Sequence, residues 1–382
     1  MRRGLIATAL AVLVSALVVT AALAKSTAQA QVPPEVAACT DVSLGALFPL
    51  TGPVAFLGQE QLSWMKFAVS EYNRANGTEF SIVEGDDQLQ PARSRTVARQ
   101  FVSNGKLMAV IGASGSQNVI ASAGLFSKAD LASISPSATR VSLTDGRFKT
   151  FFRPIPHDGV QAPTIVNYVK TKLKAKKVVV IDSQDAYSEP LSDGIQKGLR
   201  LKGVKVSRES VAATDTDFSS IVTNVADDTN VVVFATQTAT AAQTLSQQLR
   251  EQGKKAVVFG TDGAYSPAQY KPKLGYVSSF ASDLHFLPSA RGLVKKYNAF
   301  SKNKTFGTFG PPSYMAAWIA MTATTKACAD GEASRAEVVK FVRSTDAPSI
   351  LGGTIRFTPR GDVRGGGFFI AKITNGKYAP AR

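Results

Sequence analysis

LMAVIGASGSQNVIASAGLFSKADLASISPSATR, residues 107–140, decides the fold of this chain. Its apolar start, Leu107 to Ile111, reads as a buried strand. Gly112-Ala113-Ser114-Gly115-Ser116 then forms a turn of small residues ahead of a segment able to be helical. Glycine lets backbone turn tightly and approach a ligand closely. A helix that follows aims free N–H groups and its positive dipole end at whatever sits above the turn. After one more short strand comes a second loop of the same kind, Ser135-Pro136-Ser137-Ala138-Thr139. In a parallel sheet both loops lie at carboxyl ends of strands, where such sheets bind ligands. Two donor-rich loops side by side suit a small anion, a carboxylate or a phosphate; the alternative is a pair of ordinary strand-to-helix turns.

Outward from this stretch the chain repeats strand and helix. Strands are expected at Val42 to Leu50, Glu79 to Val83, Phe151 to Ile155, Lys177 to Ile181, Val204 to Val206, Asn230 to Ala235 and Ala256 to Gly260. Between them, sets such as Leu62, Met65, Val69 and Tyr72 have the spacing of one helical face. The strands are nearly continuous in Val, Ile and Leu, as in parallel sheets covered on both faces. Two such runs predict two doubly wound α/β lobes. Helices then return at 290–302, 312–328 and 336–343, with late strands near 354–357 and 367–373. Without a low-complexity linker, three crossings near residues 156, 287 and 350 are expected to form a hinge. The lobes are then 39–156 with 287–350, and 157–286 with 351–382.

The chain has 382 residues and a formal charge of +16. Its Lys and Arg are scattered, densest at Lys170 to Lys177 (KTKLKAKK), which reads as a helix end and a solvated turn. Such a surface with no nucleic-acid motif points to solubility, or to attraction toward anionic lipid or an acidic partner, rather than to nucleic acid. Arg2 and Arg3 precede an apolar stretch, Leu5 to Ala24, followed by small-residue cleavage options ending at Ala24 and Ala30. This is a secretory signal pattern, expected to be removed as residues 1–30. An uncleaved anchor is the alternative, since the run is long enough to span a bilayer. Val36-Ala37-Ala38-Cys39 imitates a lipoprotein box, but Pro33, Pro34 and Glu35 separate it from the apolar run. The two cysteines, Cys39 and Cys328, are too few for a zinc site, and in an exported protein they read as a disulfide.

Enzyme chemistry finds little support in these residues. There is no phosphate-cradling loop, dinucleotide fingerprint or nucleophile elbow. His157 and His285 stand apart from any nucleophile, which argues against a hydrolase or transferase. Glu84, Asp86 and Asp87 form the densest acidic cluster at a strand end; such aspartates more often cap a turn than bind a metal. No metal or cofactor is expected.

Leu47 to Gly58 (LFPLTGPVAFLG), Asp86-Asp87, Gly112 to Gln117, Ser135 to Thr139 and Phe259 to Gly263 fall in the order and spacing of a known family. The chain after Cys39 resembles the periplasmic branched-chain amino-acid binding proteins, the leucine/isoleucine/valine type that serves ABC importers. The resemblance implies two α/β lobes around a three-strand hinge, an amino-acid ligand in the cleft between them, a membrane permease as partner, a monomer and no catalysis. It implies ligand contacts from Ser116 and Gln117, carboxylate binding by Ser137 and Thr139, an aromatic wall from Tyr187 and Phe309, and an ammonium partner in Asp262. Gln237-Thr238 stands where the family commonly carries a tyrosine, and Leu57 where some members do, so the preferred side chain is left open. The competing reading is a solute sensor or binding protein of the same fold for an amide, an aromatic acid or another carboxylate.

Overall fold

The computed structural model describes residues 36–302 and 305–381; the expected signal segment, 1–30, lies outside them. The first sheet has the order β3-β2-β4-β5-β6, with every neighbouring pair parallel. These strands are β2 (Ser43–Phe48), β3 (Ser81–Asp86), β4 (Leu107–Gly112), β5 (Ala132–Ile134) and β6 (Phe151–Phe152). On one face α1 (Ala55–Asn76) and α9 (Gly310–Ala327) pack around Trp64, Met65, Met315 and Ala320. On the other, α2 (Pro91–Ser103) and α3 (Ser116–Lys128) bury Phe101, Val119 and Phe126. The α1–α9 approach is so close that a Cβ on Gly310 would lie 1.9 Å from Trp64 Cδ1.

The second sheet has the order β16-β15-β11-β10-β9-β7-β8. Five of its strands are parallel: β7 (Lys177–Asp182), β8 (Lys205–Ser210), β9 (Val231–Ala235), β10 (Val257–Gly260) and β11 (Leu274–Ser279). Beyond them β15 (Phe369–Thr374) runs antiparallel to β11, and the edge strand β16 (Lys377–Pro380) antiparallel to β15. Helices α4 (Asp158–Thr171) and α5 (Ser188–Leu201) cover one face; α6 (Ser219–Asn224) and α7 (Ala239–Glu251) cover the other. Neither β11 nor β16 is among the strands expected from sequence. Lys271-Pro272-Lys273 and Gly275 break up the apolar run that would have marked β11, and its burial comes from β10 on one side and β15 on the other.

The chain crosses between the two cores three times. Phe152 packs in the first core and Ile155 in the second, and Ala281 in the second and Leu284 in the first. The third crossing is later than the sequence suggests. Ile355, Phe357 and Val363 still pack on the first core, and Phe368 is the next residue in the second. The turn at Gly352 and Gly353 instead closes a hairpin of β13 (Asp346–Pro348) and β14 (Thr354–Arg356). The passage itself is made by Arg364-Gly365-Gly366-Gly367, with φ of 77° at Gly365 and 88° at Gly366, values glycine adopts without strain.

A disulfide joins Cys39 to Cys328, with Cα atoms 5.7 Å apart and a sequence separation of 289. It stands beside the short pair of β1 (Val36–Ala38) and β12 (Glu332–Ser334), where α9 ends and before α10 (Arg335–Arg343) begins. Thiol labelling of the denatured, unreduced protein is expected to find no free thiol. Reduction should lower unfolding free energy by about 2–5 kcal/mol, because it frees a long loop in the unfolded chain. Two labelled cysteines would overturn the bridge.

Candidate functional site

The carboxyl ends of both sheets face one another, and the loops leaving them build the site. From the first sheet come the two donor loops. Gln61 of α1 braces them: Ser114 Oγ donates to its Oε1 at 2.6 Å, and its Nε2 donates to Ser137 Oγ at 2.8 Å. Ser137 in turn donates to Ser114 O at 2.9 Å. The Ser137 hydroxyl is thus spent on holding the loops together. Ser116, first residue of α3, accepts from the Arg140 N–H at 3.3 Å. Asn118 N–H already donates to Gly115 O at 3.0 Å, so the N–H groups of Ser116 and Gln117 are the ones left without an intrahelical acceptor beside this brace.

From the second lobe come Tyr187, Asp262 and two residues missed in the sequence reading, Asp158 and Gln161. Asp262 is buried. Its Oδ1 accepts from the Tyr187 hydroxyl at 2.6 Å and from Gln161 Nε2 at 2.5 Å. The short 3₁₀ turn it opens makes no side-chain cap bond, so the carboxylate is not consumed as a helix cap. Burial pushes its pKa up to about 6, against the pull of the Tyr187 and Gln161 hydrogen bonds. Asp158 starts α4 and is fully enclosed. Burial and the Asp262 charge push it up to about 8, while the nearby Thr139 hydroxyl and the Arg153 and Arg140 guanidiniums pull it down. Both Asp158 carboxylate oxygens, Thr139 Oγ1, Gln161 Oε1 and Gln117 Oε1 are buried without a hydrogen-bond partner. Native interiors rarely leave such atoms unpaired, and several around one point mark a place for a polar ligand.

The lobes already touch across the cleft. Gln117 Nε2 donates to Gln237 Oε1 at 2.8 Å, and Arg140 Nη1 donates to Ala186 O at 2.6 Å. Gln237 thus occupies the position of the missing tyrosine as a lobe-to-lobe contact. Beside this polar centre lies an apolar wall. Phe309 meets Phe56 and Phe280 edge-on, at 6.2 and 5.5 Å between ring centroids, and Leu57 packs into the same cluster. Phe309 is positioned by Glu60, whose carboxylate accepts from the N–H groups of Gly307, Phe309 and Gly310 at 2.7 to 3.0 Å. Burial outweighs these bonds and holds the Glu60 pKa up at about 7.

The acidic pair at the end of β3 braces loops. Asp86 accepts from the Leu50 and Gln88 N–H groups and from Thr51 Oγ1, and Asp87 from the Leu89 N–H and Asn118 Nδ2. No grouping of His, Cys, Asp and Glu suited to a metal occurs among the described residues. His157 caps α4 by accepting the Gly159 N–H at 3.0 Å, and His285 pairs with Asp283 and stacks on Phe306.

A family model described as periplasmic binding protein matches residues 41–377. An amino acid binding protein of Pseudomonas aeruginosa is 27% identical, over 89% of this chain and 92% of its own length. A Leu/Ile/Val-binding protein homologue of Brucella melitensis is 28% identical, over 89% of this chain and 94% of its own. The branched-chain amino acid transporter substrate binding protein LivJ of Streptococcus pneumoniae, solved with isoleucine, superposes with a TM-score of 0.79 at 26% identity, covering 89% of this chain and 98% of its own. A solute binding protein of Rhodopseudomonas palustris solved with benzoate superposes at 0.77 with 19% identity, covering 89% and 95%. The latter similarity is one of fold alone.

Proposed function

Because this chain belongs to the periplasmic binding protein family, we propose that it is exported, captures a free amino acid with a hydrophobic side chain between its lobes, and passes it as a monomer to an ABC permease. The observation carrying this reading is the pair Asp158 and Asp262, buried on one side of a cleft whose other side is two donor loops. An α-amino acid supplies the complement of each. Its ammonium lies between Asp158, Asp262 and the Tyr187 hydroxyl. Its carboxylate takes the N–H groups at the start of α3 and the Thr139 hydroxyl, beside Ser116, Gln117 and Ser137. Its side chain lies against Phe309, Phe56 and Leu57. Each charge-assisted bond of this kind is worth roughly 1.5–3 kcal/mol. Donors and acids sit on different lobes, so the ligand gains its full set of bonds only in the closed form. That differential affinity is what shifts an open–closed equilibrium. An aromatic acid without an amine would offer the buried Asp158 and Asp262 pair no ammonium to hold.

Calorimetry with leucine, isoleucine, valine and benzoate tests the ligand class, and X-ray scattering tests closure. The amino acids are expected to bind, and to lower the radius of gyration from that of stripped protein. Binding of benzoate alone would refute the amine site, and an unchanged radius would refute the closing mechanism.

The raised carboxyl groups set a pH dependence. In the free protein Asp158 holds a proton at neutral pH and Asp262 gains one near pH 6; being neighbours, they titrate together. A bound ammonium favours both ionised forms, so the complex carries fewer protons than the free protein. Affinity is therefore expected to rise between about pH 6 and 8, by up to roughly tenfold per pH unit for one proton released. The free protein has the opposite trend. These groups bind protons more tightly folded than unfolded, so stability falls as pH rises through the same window. Calorimetry in buffers of different ionisation enthalpy measures the released proton, and Asp158→Asn should abolish most of it. Affinity flat from pH 6 to 8 would show that neither carboxylate meets the ammonium.

A further inference from the structure

We propose that the end of the second lobe farthest from the cleft is a docking surface for an anionic phospholipid bilayer. The parallel strands of this lobe all start at that end, and the turns leading into four of the five are basic and free of acids: KTKLKAKK at 170–177, RLKGVK at 200–205, GKK at 253–255 and KPK at 271–273; the fifth, leading into β9, carries Asp227 and Asp228. Backbone hydrogen bonds hold these turns together, Lys205 N–H to Lys176 O, Val257 N–H to Asn230 O and Asn375 N–H to Lys273 O, each between 2.8 and 3.2 Å. Two of the lysines are neutralised, Lys177 by Asp228 and Lys254 by Asp227. Lysines from four turns far apart in sequence are thus brought to one pole of this lobe.

Three further features suit a lipid surface rather than water alone. Two leucines stand out among the lysines: Leu201 is 80% exposed and Leu274 40% exposed. Apolar side chains flanked by lysine can enter the headgroup region while the ammonium groups stay with the phosphates. Next to Leu274 is a cavity of about 690 Å³ lined by Lys172, Lys372, Lys377, Tyr168, Tyr276 and Tyr378, with no acid in its wall. Tyrosine with lysine is the composition of a membrane interface, and a concave cationic site can receive one headgroup phosphate. The charges are also almost all lysine, point charges without the planar fork that arginine uses for defined acidic partners. Helix C-termini do favour cations, which accounts for Lys170 and Arg200 at the ends of α4 and α5, but not for the turns at 253–255 and 271–273 or for the exposed leucines.

The test is co-sedimentation of the exported protein with vesicles of phosphatidylcholine, and of phosphatidylcholine doped with phosphatidylglycerol. Any residual insertion by the apolar N-terminal run would be equal in both and cancels. Binding is expected only to the doped vesicles and should weaken steeply as salt rises past about 0.1 M, where charges are screened beyond roughly 10 Å. Each cation near the surface is worth roughly fivefold in partitioning, so the variant K172Q/K202Q/K255Q/K273Q should lose at least about a hundredfold. Leu201→Ser with Leu274→Ser should weaken the part of binding that survives salt. Leucine binding should be unchanged in both variants, which separates failure of this surface from failure of the cleft reading. Equal binding to both vesicle types, or wild-type binding by the lysine variant, would overturn the proposal. So would release from vesicles by millimolar inorganic phosphate, which would mark the cavity as a small-anion site.

Discussion

Asp262→Asn is expected to cost at least about a hundredfold in amino-acid affinity while leaving the fold intact. The substitution keeps the shape and removes the charge. The ammonium would then be buried with one partner fewer, a loss of roughly 3–5 kcal/mol when an ion pair is broken in the interior. The folded protein should tolerate the change, because burial already raises the Asp262 pKa to about 6 and the two donors on Oδ1, Tyr187 and Gln161, can still be received by an amide oxygen. A deaminated analogue, with no ammonium to strand, should lose far less. Calorimetry on both proteins with both ligands closes the cycle and isolates the pair. If the analogue and the amino acid lose equally, Asp262 shapes the cleft and does not hold the amine. Unchanged amino-acid binding would refute its assignment outright.

The second large effect is on stability. Arg153 is fully buried, with its Nε 2.6 Å from Asp362 Oδ1. Its Nη1 donates to the carbonyls of Ala138 and Arg140 at 3.1 and 2.8 Å, and its Nη2 to Thr144 Oγ1 at 2.9 Å. One side chain therefore ties the second donor loop and the segment ahead of the third crossing to the first crossing. Arg153→Met leaves a carboxylate and three acceptors without their donor, so urea unfolding should show a loss of about 3–5 kcal/mol. Arg153→Lys keeps the charge but lacks the planar fork, and should recover only part. Ligand affinity should fall as well, since the loop carrying Thr139 loses its anchor. A loss under about 1 kcal/mol would show that the network contributes little beyond packing.

The comparison of sequence with structure turns on how far apart interacting residues lie. Strands such as Leu107–Gly112 and Val231–Ala235 were legible because a parallel strand covered on both faces must be apolar along its whole length. The donor loops were legible because small residues after such a strand have one position available, at the carboxyl end of the sheet. Asp262 could be singled out for the same reason. Asp158 was not, because its significance comes from a neighbour 104 positions away and from enclosure that no local pattern encodes. Gln61 braces a loop 76 residues on, and Glu60 positions Phe309 from 249 residues away. Both look in sequence like polar residues on a helix surface.

Some readings changed with the tertiary structure. Ser137, expected in the loop that takes the ligand carboxylate, has its hydroxyl engaged by Gln61 and Ser114. The glycines at 352 and 353 close a hairpin, and the crossing falls to the glycines at 365–367, because only packing of Ile355 and Phe357 shows to which core the intervening chain belongs. The sequence by itself determined the class of fold, two α/β lobes, and the loops that meet at the cleft, since both follow from local periodicity and from the chemistry of turns. Tertiary structure alone decided which acids share the cleft, which hydroxyls remain unpaired, and that the lysines of four separate turns meet at one pole of the second lobe. Those depend on distances between residues far apart in the chain, and burial and Coulomb energy act through such distances whatever the order of residues along the backbone.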